Sequence, residues 1–220
     1  TDISKDMTLK PALKNGWGNA MLVCENVYQA FRYYEMFENN ETPLKGCCAV
    51  ITSYDGKAPD LSEGYTGEVA TEAEYKYKMA KRMFKERTPE NFEEWAKDSF
   101  INNPATMKLL IVVDKLLTGF DAPPCTYLYI DKKMVDHTLF QAICRVNRLN
   151  GDNKDYGHIV DYKQLFKNIQ GAIEDYTNGA FSGYDKEDVA GLLTNDIEAG
   201  KKELEDAIEK CRALSDPVKQ

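Results

Sequence analysis

The sequence has 220 residues, 43% hydrophobic and 29% charged, the make-up of one globular domain with an appendage or of two small domains. Its 36 acidic residues outnumber 28 basic ones, and the net charge of -8 excludes a small, uniformly basic nucleic-acid-binding domain. It leaves room for a local electropositive track on an otherwise acidic surface. Six cysteines without a C-x-x-C pair, beside two histidines, argue against a zinc site, so no metal is expected. Cys24, Cys47 and Cys48 lie in apolar runs, where free thiols pack as small hydrophobes. Reduced cysteines, no signal peptide and no membrane-length apolar run point to a cytoplasmic location away from membranes.

Residues 1–18 show no clear period and are expected to form a lead-in linker. Ala20–Cys24 (AMLVC) is a buried-strand candidate, and Asn26 is placed to cap a following helix on which Val27, Ala30, Phe31, Tyr34 and Phe37 share a face. Cys47–Thr52 (CCAVIT) predicts a second strand, followed by a polar, Gly-rich loop that contains Ser53. Thr71 and Glu74 have capping-box spacing and predict a helix to about Glu86. Thr88-Pro89 opens the next helix, with Phe92, Trp95, Ala96, Ser99 and Phe100 as its inner face. Leu109–Val113, Tyr127–Ile130 and His158–Val160 predict three more strands, with helices at about Asp136–Asn147, capped by Asp136, and Tyr162–Tyr176. Alternating strands and helices, with strands apolar throughout, are the pattern of an α/β parallel sheet covered by helices on both faces.

The expected domain spans 19–178. Beyond it, 179–220 starts a C-terminal helical region, with Leu193, Ile197, Leu204, Ile208 and Cys211 at helical steps. The charge run at Lys201, Lys202, Glu203, Glu205 and Asp206 reads as a solvated helix face. The chain opens on Thr1 without an initiator methionine and ends soon after a helical pattern, so a fragment of a larger protein is expected.

Two segments carry the chemistry. The first, Lys115–Pro123 (KLLTGFDAP), directly follows the strand Leu109–Val113, and ligands of open parallel sheets gather at the carboxyl ends of strands. Gly119 permits an unusual backbone angle, Thr118 offers a hydroxyl to a phosphate, and Asp121 accepts from a ribose or an arginine. A plain strand-to-turn connection with an Asx turn at Asp121 explains the same residues. The second is Gln141–Arg148 (QAICRVNR). Gln141, Arg145 and Arg148 stand at steps of four and three, while Leu139, Ile143 and Val146 face the other way. One face is buried on the sheet and the other presents two guanidiniums suited to phosphate oxygens, or to distant acids.

Taken together, a strand, a T-G-x-D turn, a second strand and a Q-x-x-x-R-x-x-R helix occur in order within one short stretch. LLIVVDKLLTGFDAPPCTYLYIDKKMVDHTLFQAICRVNR resembles the last two motifs of superfamily-two helicases, and within them the motor (R) subunit of type I restriction enzymes, strongly over about Lys108–Asp161. The resemblance is weaker over Ala20–Thr52, where AMLVCENVYQAFRYY is similar to the first strand and helix of the same RecA-like second lobe. The resemblance implies an ATP-dependent translocase of double-stranded DNA. It implies ATP binding by Gly119, Asp121, Gln141, Arg145 and Arg148, with Arg148 as the arginine finger and Arg145 beside it. Thr118 and Ser53 would touch DNA. The first RecA-like lobe of the same chain, with methylation and specificity subunits, would be the protein partners. Cys144 stands where many helicases have glycine, as in the restriction-enzyme subgroup.

No G-x-x-x-x-G-K-[ST] loop and no Asp-Glu pair occurs, so ATP and Mg²⁺ are expected to be held mainly by the first lobe. Alternatives are another superfamily-two translocase lobe or a non-catalytic interaction module of the same fold. Pro59-Asp60 followed by Glu74-Tyr75-Lys76 imitates a nuclease pattern, but Glu74 is already assigned to the capping box. His137 and His158 read as structural.

Overall fold

The strongest apolar runs become strands because only a sheet interior buries residues that are hydrophobic on both faces. The computed structural model describes residues 2–59, 68–117, 119–134, 136–147, 154, 156–163, 165, 202, 204 and 205; of 68–70, 136, 137, 140, 144 and 145 it describes the backbone alone. The five strands are β1 (Asn19–Cys24), β2 (Cys48–Ile51), β3 (Leu109–Val112), β4 (Cys125–Asp131) and β5 (His158–Asp161). They form one parallel sheet in the order β2-β3-β1-β4-β5, with Leu22 of β1 level with Ile111 of β3 and Tyr129 of β4. With helices on both faces, this is the expected α/β RecA-like arrangement.

Helix α3 (Val27–Asn39) follows β1 and starts where Asn26 accepts a hydrogen bond from the Gln29 N–H. Its Ala30, Phe31, Tyr34 and Phe37 are buried, as the periodicity predicts. Two short helices, α1 (Asp2–Leu9) and α2 (Pro11–Lys14), occupy the lead-in segment, where the sequence shows no period. Ile3 and Met7, one turn apart, are buried, and the Tyr129 hydroxyl donates to Asp6 at 2.8 Å. Tertiary contacts, rather than length or patterning, hold such short helices.

Helix α4 (Glu68–Phe84) begins a turn before Thr71, so the predicted capping box is interior to the helix and Glu74 is an exposed residue of it. The T-x-x-E spacing is equally at home inside a helix, and Glu68-Val69-Ala70 extends it. Helix α5 (Pro89–Asn102) is capped by Thr88, which accepts from the Asn91 N–H. Phe92, Ala96 and Phe100 face inward, but Trp95 is 40% exposed and lies under the Arg87 guanidinium, 4.6 Å from the ring centre. The expected inner face is therefore narrower by one large residue, because a cation–π partner occupies the Trp95 ring instead of the core.

Helix α6 (Asp136–Val146) contains Asp136 as its first residue rather than ahead of it. Leu139, Ala142, Ile143 and Val146 are buried. The predicted helix from Tyr162 lies largely outside the described residues; Tyr162 and Lys163 themselves are bends. No helix among the described residues is long and apolar enough to cross a membrane. Cys24, Cys48 and Cys125 are buried free thiols and Cys47 is half-buried. The chain divides into two compact units, Thr1–Ser182 and Gly183–Gln220; in the second, Lys202, Leu204 and Glu205 are described and helical.

Candidate functional site

At the carboxyl edge of the sheet, β2 runs into Thr52, Ser53, Tyr54 and Asp55. These residues line a cleft with Phe84, Pro89, Glu90, Glu93 and Lys115. Ser53 is exposed there. Lys115 Nζ lies 2.5 Å from Glu93, which also holds Lys97 at 3.2 Å. Burial alone would raise the Glu93 pKa, but the two lysines bring it below the ordinary value. Further along the edge, Asp131 ends β4 and accepts from Tyr33 at 2.6 Å and Gln29 at 2.7 Å, with Lys163 2.8 Å away. Lys132 is paired with Asp114 at 2.5 Å.

The chain leaves this edge at Lys115 without forming a helix. Because β3 and β4 flank β1 and all run parallel, residues 113–124 must cross the whole sheet to reach the start of β4. Leu116 turns the chain with a φ of 69°, an uncommon left-handed conformation for a branched residue. Leu116, Leu117, Phe120 and Ala122 then pack over Met21 and Leu128, and Ala142 and Val146 of α6 line the same cavity.

Gly119 and Asp121 consequently stand at the amino edge of the sheet, not at the carboxyl edge where their place after β3 suggested. Pro124, just beyond them, accepts from the Asn19 N–H that opens β1 at 3.0 Å. Gly119 has a φ of 78°, which favours glycine, and a Cβ there would meet no atom within 4 Å. Its glycine is therefore required by backbone conformation rather than by crowding within the chain. Both Gly119 and Asp121 are exposed.

Helix α6 arrives at the same edge. It starts after the carboxyl end of β4 and runs back. Asn147, which follows its last turn, accepts from the Gly157 N–H at 3.3 Å, and Gly157 immediately precedes β5. A Cβ at Gly157 would collide with the Val146 carbonyl oxygen, so this close approach admits only glycine. Gln141 is half-buried on α6, opposite the buried Leu139, Ile143 and Val146. Arg145 is described by its backbone in α6. Arg148 and Thr118 lie outside the described residues. The structure thus brings Gly119, Asp121 and the carboxyl end of α6 to one edge and leaves Ser53 at the other.

Sequence reasoning passes over Lys154. It is 3% exposed, and its ammonium donates to the carbonyls of Cys125 at 2.7 Å and Pro123 at 3.0 Å. Burial lowers its pKa to about 8, against the opposing influence of Cys125 and Asp121. Nothing in the polar stretch Gly151–Asp155 signals a buried lysine. Only the tertiary position beside the start of β4 reveals it. His158 stacks on Tyr127 at 4.5 Å between ring centres, a packing role. Of the nuclease-like pattern, Asp60 lies outside the described residues and Lys76 pairs with Glu72 at 3.2 Å. Among the described residues no group of three His, Cys, Asp or Glu side chains could hold a metal ion.

A five-stranded parallel sheet flanked by helices, with the Gly119–Asp121 turn and the carboxyl end of α6 at one edge, makes this an α/β RecA-like fold. The chain belongs to the family described as type I restriction enzyme subunit R domain 3, whose model matches residues 16–164. It is 42% identical over 117 residues to the type I restriction enzyme HindI endonuclease subunit of Haemophilus influenzae, covering 52% of this chain and 11% of that protein. It is 24% identical over 211 residues to the SauCOLORF180P endonuclease subunit of Staphylococcus aureus, covering 91% of this chain and 22% of that one. A third relative, the SsaAORF53P endonuclease subunit of Staphylococcus saprophyticus, is 35% identical over 107 residues, 49% of this chain and 11% of the relative. The chain thus spans between 11% and 22% of the length of these three relatives.

Proposed function

We propose that this chain is the second motor lobe of a type I restriction endonuclease subunit. In that role it drives ATP-dependent translocation of double-stranded DNA, supplying arginines to an ATP site shared with a first lobe. The observation that carries the proposal is the meeting of two segments separate in sequence but matched in chemistry. The turn with Gly119 and Asp121 and the carboxyl end of α6 pack over one cavity at one sheet edge. A nucleotide held by another lobe against that edge would meet Asp121, Gln141 and Arg145, with Arg148 as the arginine finger that stabilises charge on the transferring phosphoryl group.

The crossing segment supports a coupling of the nucleotide edge to the DNA track. Lys115 lines the Ser53 cleft at the carboxyl edge, and Asp121, six residues on, stands at the amino edge. Movement at the nucleotide edge would therefore pass along a packed stretch of a few residues to the edge where Ser53 would touch DNA. ATP and Mg²⁺ belong mainly to the first lobe, which would provide the phosphate loop this sequence lacks. The methylation and specificity subunits of the restriction complex, and a cytoplasmic setting, complete the proposal. The names of the relatives support a nuclease activity in the parent protein; the nuclease centre would lie outside this chain.

The decisive experiment replaces Arg148 with alanine in the intact subunit. ATPase is expected to fall by about 10³–10⁵-fold, with DNA binding retained. Near-normal ATPase would remove Arg148 from the finger role. The chain by itself is expected to show no turnover until the first lobe is added; turnover by the chain alone would reject the shared site.

A further inference from the structure

The chain is acidic overall, yet residues 76–87 carry Lys76, Lys78, Lys81, Arg82, Lys85 and Arg87 against a single acid, Glu86. The packing of α4 decides what this run presents. Met79, Ala80 and Met83 are buried, and the Met83 sulfur accepts from the outward Val50 N–H of the edge strand at 3.3 Å. That fixes the rotation of the helix. Lys78 and Lys81, three residues apart, are exposed on the opposite side, and Lys85, left-handed at a φ of 57° just past the last helical residue, is exposed as well. The pairs seen nearby engage other residues: Lys76 with Glu72 and Arg82 with Asn39. Lys78, Lys81 and Lys85 form no ion pair among the described residues, and Lys81 rests over the Tyr77 ring at 5.7 Å.

We propose that this lysine face of α4 is a seat for the phosphate backbone of double-stranded DNA. Its purpose rests on the motor function proposed above; the binding itself does not. Lys78 and Lys81 are ~4.5 Å apart along the helix axis, and Lys85 follows directly at its end. Such a spacing is a step of one to two nucleotides along a strand at ~3.4 Å each. Lysine ammoniums are mobile point charges that tolerate such a fit. Between Lys78 and Lys85 the face exposes only charged residues, whereas a protein-binding patch would show an apolar or aromatic centre. The carboxyl end of α4 also abuts the Ser53 loop: a Cβ at Gly56 would lie 2.8 Å from Phe84 and 3.6 Å from Ala80. A duplex on α4 therefore continues toward the cleft holding Ser53. Glu90, Glu94 and Asp98, exposed on the adjoining α5, repel phosphate and confine contact to α4, and Arg87, exposed over Trp95 at the turn between the two helices, adds a fourth cation. Glu74, one turn before Lys78, marks where the positive face stops.

The test uses the intact subunit carrying Lys78→Gln, Lys81→Gln and Lys85→Gln together, since glutamine keeps helix propensity. Affinity for a fluorescent duplex of about 30 base pairs lacking any recognition site is measured between about 50 and 200 mM salt, the range over which phosphate contacts dominate the response. The slope of log affinity against log salt should fall in magnitude by about 2.7, about 0.9 for each phosphate that the variant no longer neutralises. Affinity at the lowest salt should drop at least tenfold. Exposed Lys5, Lys10 and Lys14 on the lead-in helices serve as the control triple, and their replacement should leave both values unchanged. An unchanged slope and affinity in a triple variant with normal Tm overturns the proposal. So does a variant that keeps DNA but loses an acidic polypeptide such as polyglutamate, which would assign the face to a protein. If the triple variant loses DNA as expected while the parent ATPase proves insensitive to DNA, the phosphate seat stands and the motor function falls.

Discussion

The two edges of the sheet are built on different principles. At the carboxyl edge, charges are answered by charges: Asp131 by Lys163, Glu93 by Lys97 and Lys115, Asp114 by Lys132. At the amino edge the buried cation Lys154 is answered by two carbonyl groups, with Asp121 nearby. Neutral acceptors satisfy an ammonium's hydrogen bonds but not its charge, which is why burial pushes this lysine down in pKa. The difference teaches that motif order says which residues meet, while the path of the chain says at which end of the sheet they do so.

The comparison can be broken by substitutions on either side. Phe100→Ala should have the largest effect on stability. Phe100 is fully buried, its ring is 6.2 Å from Phe120 in the crossing segment, and its carbonyl accepts from Asn19 at 2.6 Å. A loss of about 3–5 kcal/mol in denaturant unfolding is expected. Asp131→Ala leaves Tyr33, Gln29 and Lys163 without their shared acceptor at the opposite edge. It should cost about 2–3 kcal/mol while leaving the ATPase of the intact, folded subunit near normal. A collapse of ATPase without loss of stability would mean that the carboxyl edge, too, belongs to the nucleotide machinery.

Lys154 provides a pH test. Its pKa is lowered from 10.5 to about 8 in the fold, so between those values the unfolded chain binds more protons. Its contribution to stability therefore rises with pH from about 8 to 10.5, and the penalty is fully present below 8. The wild-type chain should gain relative to Lys154→Met across that window, by at most about 1.4 kcal/mol per pH unit. Parallel pH profiles would show that the ammonium is solvated. Gly119→Ala should have the smallest effect on stability, about 1–2 kcal/mol, from the left-handed backbone alone since its Cβ meets nothing. If ATPase in the intact subunit falls far more than that cost explains, the turn conformation itself serves turnover.

Much of this is legible in the sequence because it is local. The strands at Asn19–Cys24 and Leu109–Val112 are apolar almost throughout, the Asn26 and Thr88 caps follow from one side chain reaching a nearby N–H, and the buried side of α6 follows from steps of three and four. The start of α4 escapes such reading because a capping box and a helix interior share one spacing. Trp95 escapes it because its partner, Arg87, lies in the preceding turn, and helical periodicity cannot weigh a cation against a core.

What the sequence by itself determined is the five strands, the helices from α3 to α6, the RecA-like class of sheet and the pairing of a T-G-x-D turn with a glutamine–arginine helix, but not the two lead-in helices. Only the tertiary structure decided that the turn lies at the amino edge, that Lys154 is buried beside it, and that α4 turns Lys78 and Lys81 outward with Lys85 exposed at its end. The physical reason is the path of the chain. Parallel β3 and β4 oblige their link to return to the amino edge, but where along that link the turn falls, and what it packs against, depends on contacts between residues far apart in the chain, which no local pattern records.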